Sequence, residues 1–120
     1  MSQLKPILKV LCGVSGVRGA VIITKDGMVI DSMLEPPFDA ETMAAFMSQI
    51  AVTITNSLAS MGVKEFTRYV MQSNSGRIYM MDLGKSALLA LTEGNADQGR
   101  MNVALFQAAN EIKKSGRIDV

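Results

Sequence analysis

The chain has 120 residues, of which 48% are hydrophobic, and its formal net charge at neutral pH is +1. This length suits one domain with its own core, and the composition argues against disorder. The near-zero net charge gives no electrostatic basis for binding nucleic acid or an anionic membrane. One cysteine and no histidine exclude an internal disulfide and a zinc site of the usual kind, so we expect no cofactor. We interpret Cys12 as a buried structural thiol, which fits a cytoplasmic protein.

The first part of the chain predicts a short helix and then a β-hairpin. Apolar residues at helical spacing predict a helix over 2–12, and Gly13 follows as a predicted left-handed stop. Two apolar runs, 17–25 and 28–33, are predicted strands. Asp26-Gly27 stands between them, and this pair is typical of a two-residue type I′ turn.

A long second helix is predicted over 40–61. Asp39 is its expected N-cap, and Gly62 is its expected C′ residue. At 3.6 residues per turn, a row of large apolar side chains falls on one face, which should pack on a sheet. That row is Met43, Met47, Ile50, Ile54, Leu58 and Met61.

The second half of the chain predicts a three-stranded meander and a last helix. The strands are expected over 65–73, 77–83 and 86–92, with turns at 74–76 and 84–85. The strand over 86–92 is apolar on both faces, which is typical of a central strand. The last helix is expected over 98–115. The whole chain therefore predicts one α/β domain, in the order α-β-β-α-β-β-β-α, with a five-stranded, mostly antiparallel sheet.

The second helix carries no charged residue between Glu41 and Lys64. A membrane span is rejected, because polar residues are too frequent and the large aliphatic residues lie on one stripe. A helix without charge on any face predicts that its second face is covered too. We therefore predict that this face meets the same helix of a second copy. The predicted contacts are Ala45, Ser48, Val52, Thr55, Asn56 and Ala59.

The strand that follows the second helix is a candidate sheet edge. Arg68 is the only charged residue between positions 66 and 72, whereas exposed edges usually carry charges or a partner. Pairing across a two-fold axis would continue the sheet through both subunits. Phe66, Arg68 and Val70 are accordingly predicted to complete the dimer interface.

Motifs that suggest enzyme chemistry are incomplete. Gly84-Lys85-Ser86 resembles the end of a phosphate-binding loop, but Tyr79 stands where the first glycine is needed, and a hairpin turn is favoured. Gly13, Gly16 and Gly19 are spaced GxxGxxG rather than GxGxxG. Without histidine the commonest general base is absent, and no serine has an identifiable activating base. We predict a protein without enzymatic activity.

Two segments resemble the Roadblock/dynein-light-chain family. GVRGAVIITKDGMVIDS (16–32) is similar to that family's opening hairpin, and SGRIYMMDLGKSALLALTEGNADQGRMNVALFQAANEI (75–112) is similar to its second half. The resemblance implies a profilin-like α/β sandwich and a dimer in which the middle helices pack side by side. It also implies a link to small Ras-like GTPases, which stand-alone prokaryotic members regulate or scaffold.

The function predicted on this basis is a homodimeric regulator of a small Ras-like GTPase. A supplied arginine finger has five candidates, none of which the sequence singles out: Arg18, Arg68, Arg77, Arg100 and Arg117. The alternatives are a passive dimeric adaptor of a motor or signalling assembly and a small-ligand sensor. The sensor requires a pocket with convergent polar groups, and the sequence offers no such cluster.

Overall fold

The computed structural model describes residues 4–64 and 67–115. Three helices and five strands follow one another in the predicted order. They are α1 (Lys5–Cys12), β1 (Val17–Thr24), β2 (Val29–Leu34), α2 (Ala40–Ala59), β3 (Arg68–Gln72), β4 (Gly76–Asp82), β5 (Ser86–Glu93) and α3 (Gln98–Ser115).

The five strands form one sheet with the order β2-β1-β5-β4-β3, and every neighbouring pair is antiparallel. The prediction of a central strand is confirmed for β5, which is buried along its length except at Glu93. The strand β3 lies at the edge, as predicted. A sheet whose middle strand carries apolar residues on both faces needs a covering layer of helices or other structure on each side.

The helices supply those layers. α1 and α3 pack on one face of the sheet, where Ile22, Leu88 and Tyr79 meet Leu8 and Leu105. α2 packs on the opposite face. There Val21, Ile23 and Leu89 meet Ala44 and Met47. Along α3 an apolar stripe at helical spacing faces the sheet, and each of its members is buried: Met101, Leu105, Ala108 and Ile112. The chain is therefore a three-layer α/β sandwich.

Two local predictions in the first half are wrong. Gly13 has φ −78°, in the right-handed region, and its N–H donates to the carbonyl of Lys9. The β1–β2 turn is a three-residue loop, since the N–H of Gly27 donates to the carbonyl of Thr24 and the N–H of Thr24 to the carbonyl of Met28. The Thr24 hydroxyl donates to Asp26 and accepts from the Met28 N–H, which holds this wider loop.

The two ends of α2 follow the predicted capping. Asp39 accepts hydrogen bonds from the N–H and the hydroxyl of Thr42. At the other end the Val63 N–H donates to the Leu58 carbonyl and Gly62 has φ +86°, which together make a Schellman motif. The regular helix ends at Ala59, so Met61 does not join the inward row and is 68% exposed.

Acid should weaken the start of α2 through Asp39. The Thr42 side-chain and backbone hydrogen bonds lower the pKa of this carboxyl from 3.8. The folded state thus has the lower pKa, so the stabilisation is complete above the unfolded pKa and is lost as pH falls through the folded one. Asp39→Asn keeps a cap but cannot titrate. We therefore expect the free energy of unfolding of this variant to decrease less steeply below pH 3.8 than that of the unsubstituted protein. Urea unfolding at several pH values measures this, and parallel curves for the two proteins would contradict it.

Candidate dimerisation surface

The helix α2 covers only part of the sheet face on which it packs. It lies closest to β1 and β2 and reaches the far edge of the sheet through a 2.8 Å hydrogen bond between the hydroxyls of Thr55 and Tyr69. A cavity of about 360 Å³ remains beside α2, and the Lys25–Asp82 ion pair (3.0 Å) lies along it. The other lining residues are Ala51, Val52, Thr55, Asn56, Tyr69, Met80 and Ala87.

The outer face of α2 is exposed and uncharged. Five of its six predicted contact residues are exposed: Ala45, Val52, Thr55, Asn56 and Ala59. Val52 is 55% exposed and borders the cavity beside β3. Phe46, on the same helix, is 61% exposed. Phe46 and Val52 are six residues apart and so lie about 120° apart around the helix, which places Phe46 on the flank of the outer face rather than at its centre.

Ser48 differs from the other predicted contacts. It is 9% exposed, because the β1–β2 loop lies against it inside the same chain. A Cβ built on Gly27 would be 2.7 Å from the Ser48 Oγ. The Ser48 hydroxyl donates to the carbonyl of Ala45. Ser48 is therefore partly covered by the hairpin of its own chain and is the least exposed of the six predicted contacts.

The predicted residues of β3 point away from α2. Side chains alternate along a strand, and Tyr69 and Met71 pack on the α2 side of the sheet. Arg68 and Val70 consequently face the α3 side, where Arg68 donates to the Asn102 Oδ1 at 2.6 Å. They remain at the sheet edge but do not adjoin the open face of α2. Phe66 lies outside the described residues.

Sequence reasoning missed Tyr69 and Met71. Both are half-buried beside α2, and Tyr69 bonds directly to it. The period-2 alternation of the strand was available as a signal, but only the sheet register shows which parity faces α2.

Among the described residues, the other groups considered as catalytic or metal-binding candidates show no feature of a reactive site. Burial, and secondarily the charge of Glu35, raises the pKa of the Cys12 thiol, so it is protonated at neutral pH. Over 4–64 and 67–115, no three metal-ligating side chains are grouped and no helix is long and apolar enough to cross a membrane. Arg77 is bonded to Gln72 and to the Ala96 carbonyl, whereas Arg117 lies outside the described residues.

Comparison with known proteins places this fold. Residues 5–93 match the Roadblock/LC7 domain. The chain belongs to the Roadblock/LC7 domain family. This roadblock domain is 28% identical over 112 residues to the uncharacterized protein MJ0714 of Methanocaldococcus jannaschii, an alignment that covers 93% of this chain and 95% of the relative.

Solved structures show the same fold at low identity. Myxococcus xanthus MglB superposes on the roadblock domain with a TM-score of 0.88 at 16% identity, covering 95% of this chain and 94% of MglB. A Roadblock/LC7 domain from Streptomyces avermitilis gives 0.84 at 19% identity, covering 95% and 98%. The family resemblance and the roadblock-type sandwich expected from the sequence are therefore confirmed.

Proposed function

We propose that this roadblock domain is a homodimeric, non-catalytic regulator or scaffold of a small Ras-like GTPase in the cytoplasm. The observation that carries the proposal is that two surfaces without a partner in the described part of the chain lie side by side at one edge of the sheet. The uncharged outer face of α2 lies beside the cavity that reaches β3, and β3 is an edge strand with one charge.

A two-fold axis beside β3 would cover both surfaces at once. The backbone groups on the open side of β3 would pair with the same strand of the second copy, which removes the edge. The two α2 helices would then meet along small side chains that permit close approach, such as Ala45 and Ala59. Stable interfaces bury roughly 1,200–2,000 Å² in total, and the proposed contact draws on a strand together with a 20-residue helix.

The GTPase part of the proposal comes from family membership. Stand-alone prokaryotic roadblock proteins are linked to small Ras-like GTPases, and the similarity to MglB is at the level of fold. Regulation by binding requires no catalytic group on this chain. A dimer that prefers one conformation of the nucleotide-switch loops would shift the GTPase toward that state in proportion to its differential affinity.

Affinity capture from source cytosol tests this function. The immobilised protein is incubated with cytosol containing either a non-hydrolysable GTP analogue or GDP, and bound proteins are identified by mass spectrometry. We expect a small GTPase that is enriched in one nucleotide state. Equal retention in both states would indicate a passive adaptor, and the absence of any GTPase would contradict the proposal.

A further inference from the structure

A β-bulge in β1 sets the position of Arg18. Val17 pairs with Thr92 and Gly19 pairs with Leu91, so Arg18 is the extra residue in the ladder with β5. Bulges re-aim the side chain that they insert. The Arg18 guanidinium carbon lies 5.2 Å from the centroid of the Phe38 ring, a cation–π contact that holds the charge in place. Among residues 4–64 and 67–115, no carboxylate forms an ion pair with Arg18.

Beside Arg18 runs a groove of about 290 Å³ with an apolar floor. Leu91 pairs with Ile78, and Ile78 pairs with Met71, so the three side chains form one row across β5, β4 and β3. Strands lie about 4.8 Å apart, which makes the row about 10 Å long. That length matches about three residues of an extended chain.

The charged groups that line the groove are all positive. Arg77 also borders the groove beside Ser73 and Ser75, but its side chain has the parity of Tyr79 and lies on the opposite face of the sheet, where its guanidinium donates to the Ala96 carbonyl and the Gln72 Oε1. No Asp or Glu within the described ranges lines the groove. The site thus combines an apolar row with the guanidinium of Arg18, a group that binds carboxylates well.

We propose that this groove, defined by Arg18, Phe38, Met71, Ile78 and Leu91, docks an acidic segment of a partner protein. An apolar side chain of that segment lies on the Leu91–Ile78–Met71 row, and an adjacent carboxylate binds the Arg18 guanidinium. The groove is open to solvent, whereas small-molecule sites enclose most of their ligand. The α2 helix of a second copy has no carboxylate after Glu41 to offer Arg18.

This docking site is independent of the GTPase assignment, and its test needs no GTPase. The probe is a fluorescein-labelled hexapeptide of alternating aspartate and leucine, and the matched probe carries lysine in place of aspartate. Anisotropy measures binding to the full chain, and ¹³C-methyl methionine NMR locates the site. We expect the acidic peptide to shift the Met71 methyl resonance while leaving Met28, in the β1–β2 loop, unchanged.

Variants of Arg18 distinguish binding of the acidic peptide at the groove from general electrostatic attraction between the peptide and the protein. Arg18→Ala should weaken the acidic peptide by about tenfold, and Arg18→Glu should transfer the preference to the lysine peptide. Arg100→Ala makes the same change of charge on α3 and should leave binding unaltered. Equal losses in Arg18→Ala and Arg100→Ala would overturn the proposal. An unchanged Met71 methyl resonance would also overturn it. A loss of peptide binding at protein concentrations that favour self-association would do the same, since a second copy would then occupy the groove.

Discussion

Val52→Lys should convert the proposed dimer into a monomer. Val52 is half-exposed at the centre of the open face of α2, where the second copy is proposed to pack. A lysine there would place a charge inside an interface that has no carboxylate on either α2 helix after Glu41, and the carboxylate of Asp82, in the same cavity, is already paired with Lys25. An unpaired charge is costly to bury, so we expect the dimer Kd to rise by about 100-fold. Sedimentation velocity across a dilution series measures this.

Val103→Lys is the matched control. Val103 is also a helical valine, 58% exposed, but it lies on α3 on the other side of the sheet. The two substitutions change the charge and the side-chain volume equally. Both variants should keep their far-ultraviolet circular dichroism, and only Val52→Lys should dissociate. Equal dissociation, or none in either variant, would contradict the α2 interface and with it the dimer of the proposed function.

Regular structure was predictable where one segment determined it. The apolar run of β5 indicated a central strand, and α3 has the predicted bounds of 98–115 because the Asp97 carboxylate caps its first turn. The β1–β2 turn was not predictable from Asp26-Gly27 alone. The Thr24 hydroxyl adds two hydrogen bonds that favour the three-residue loop, and propensity for a type I′ turn does not include them.

The candidate surface was predictable in outline and not in detail. The absence of charge along α2 identified the exposed face, and five predicted residues lie on it. Ser48 is less exposed than the other five because Gly27 of the hairpin lies against it, and a helical wheel contains only its own helix. Arg68 and Val70 lie on the far side of β3 because register assigns strand parity, and register depends on all five strands. The groove of Arg18 was hidden for the same reason.

Gly27→Ala should be strongly destabilising, because two separate costs fall on one residue. Gly27 has φ +94°, where a side chain costs roughly 1–2 kcal/mol. The new Cβ would also lie 2.7 Å from the Ser48 Oγ and 3.4 Å from the Ala44 carbonyl oxygen. Overpacking of this kind adds about 1–3 kcal/mol. We therefore expect a loss of about 2–5 kcal/mol in the free energy of unfolding, measured in urea at a fixed protein concentration.

Gly84→Ala separates the two costs. Gly84 also occupies a hairpin turn at positive φ (+99°), but a Cβ added there would meet no atom of the described residues within 4 Å. It should lose only the conformational part, about 1–2 kcal/mol. Adding Ser48→Ala to Gly27→Ala removes the Oγ contact, so the double variant should recover most of the excess over Gly84→Ala. Equal losses in Gly27→Ala and Gly84→Ala, with no coupling to position 48, would show that the hairpin does not bear on α2.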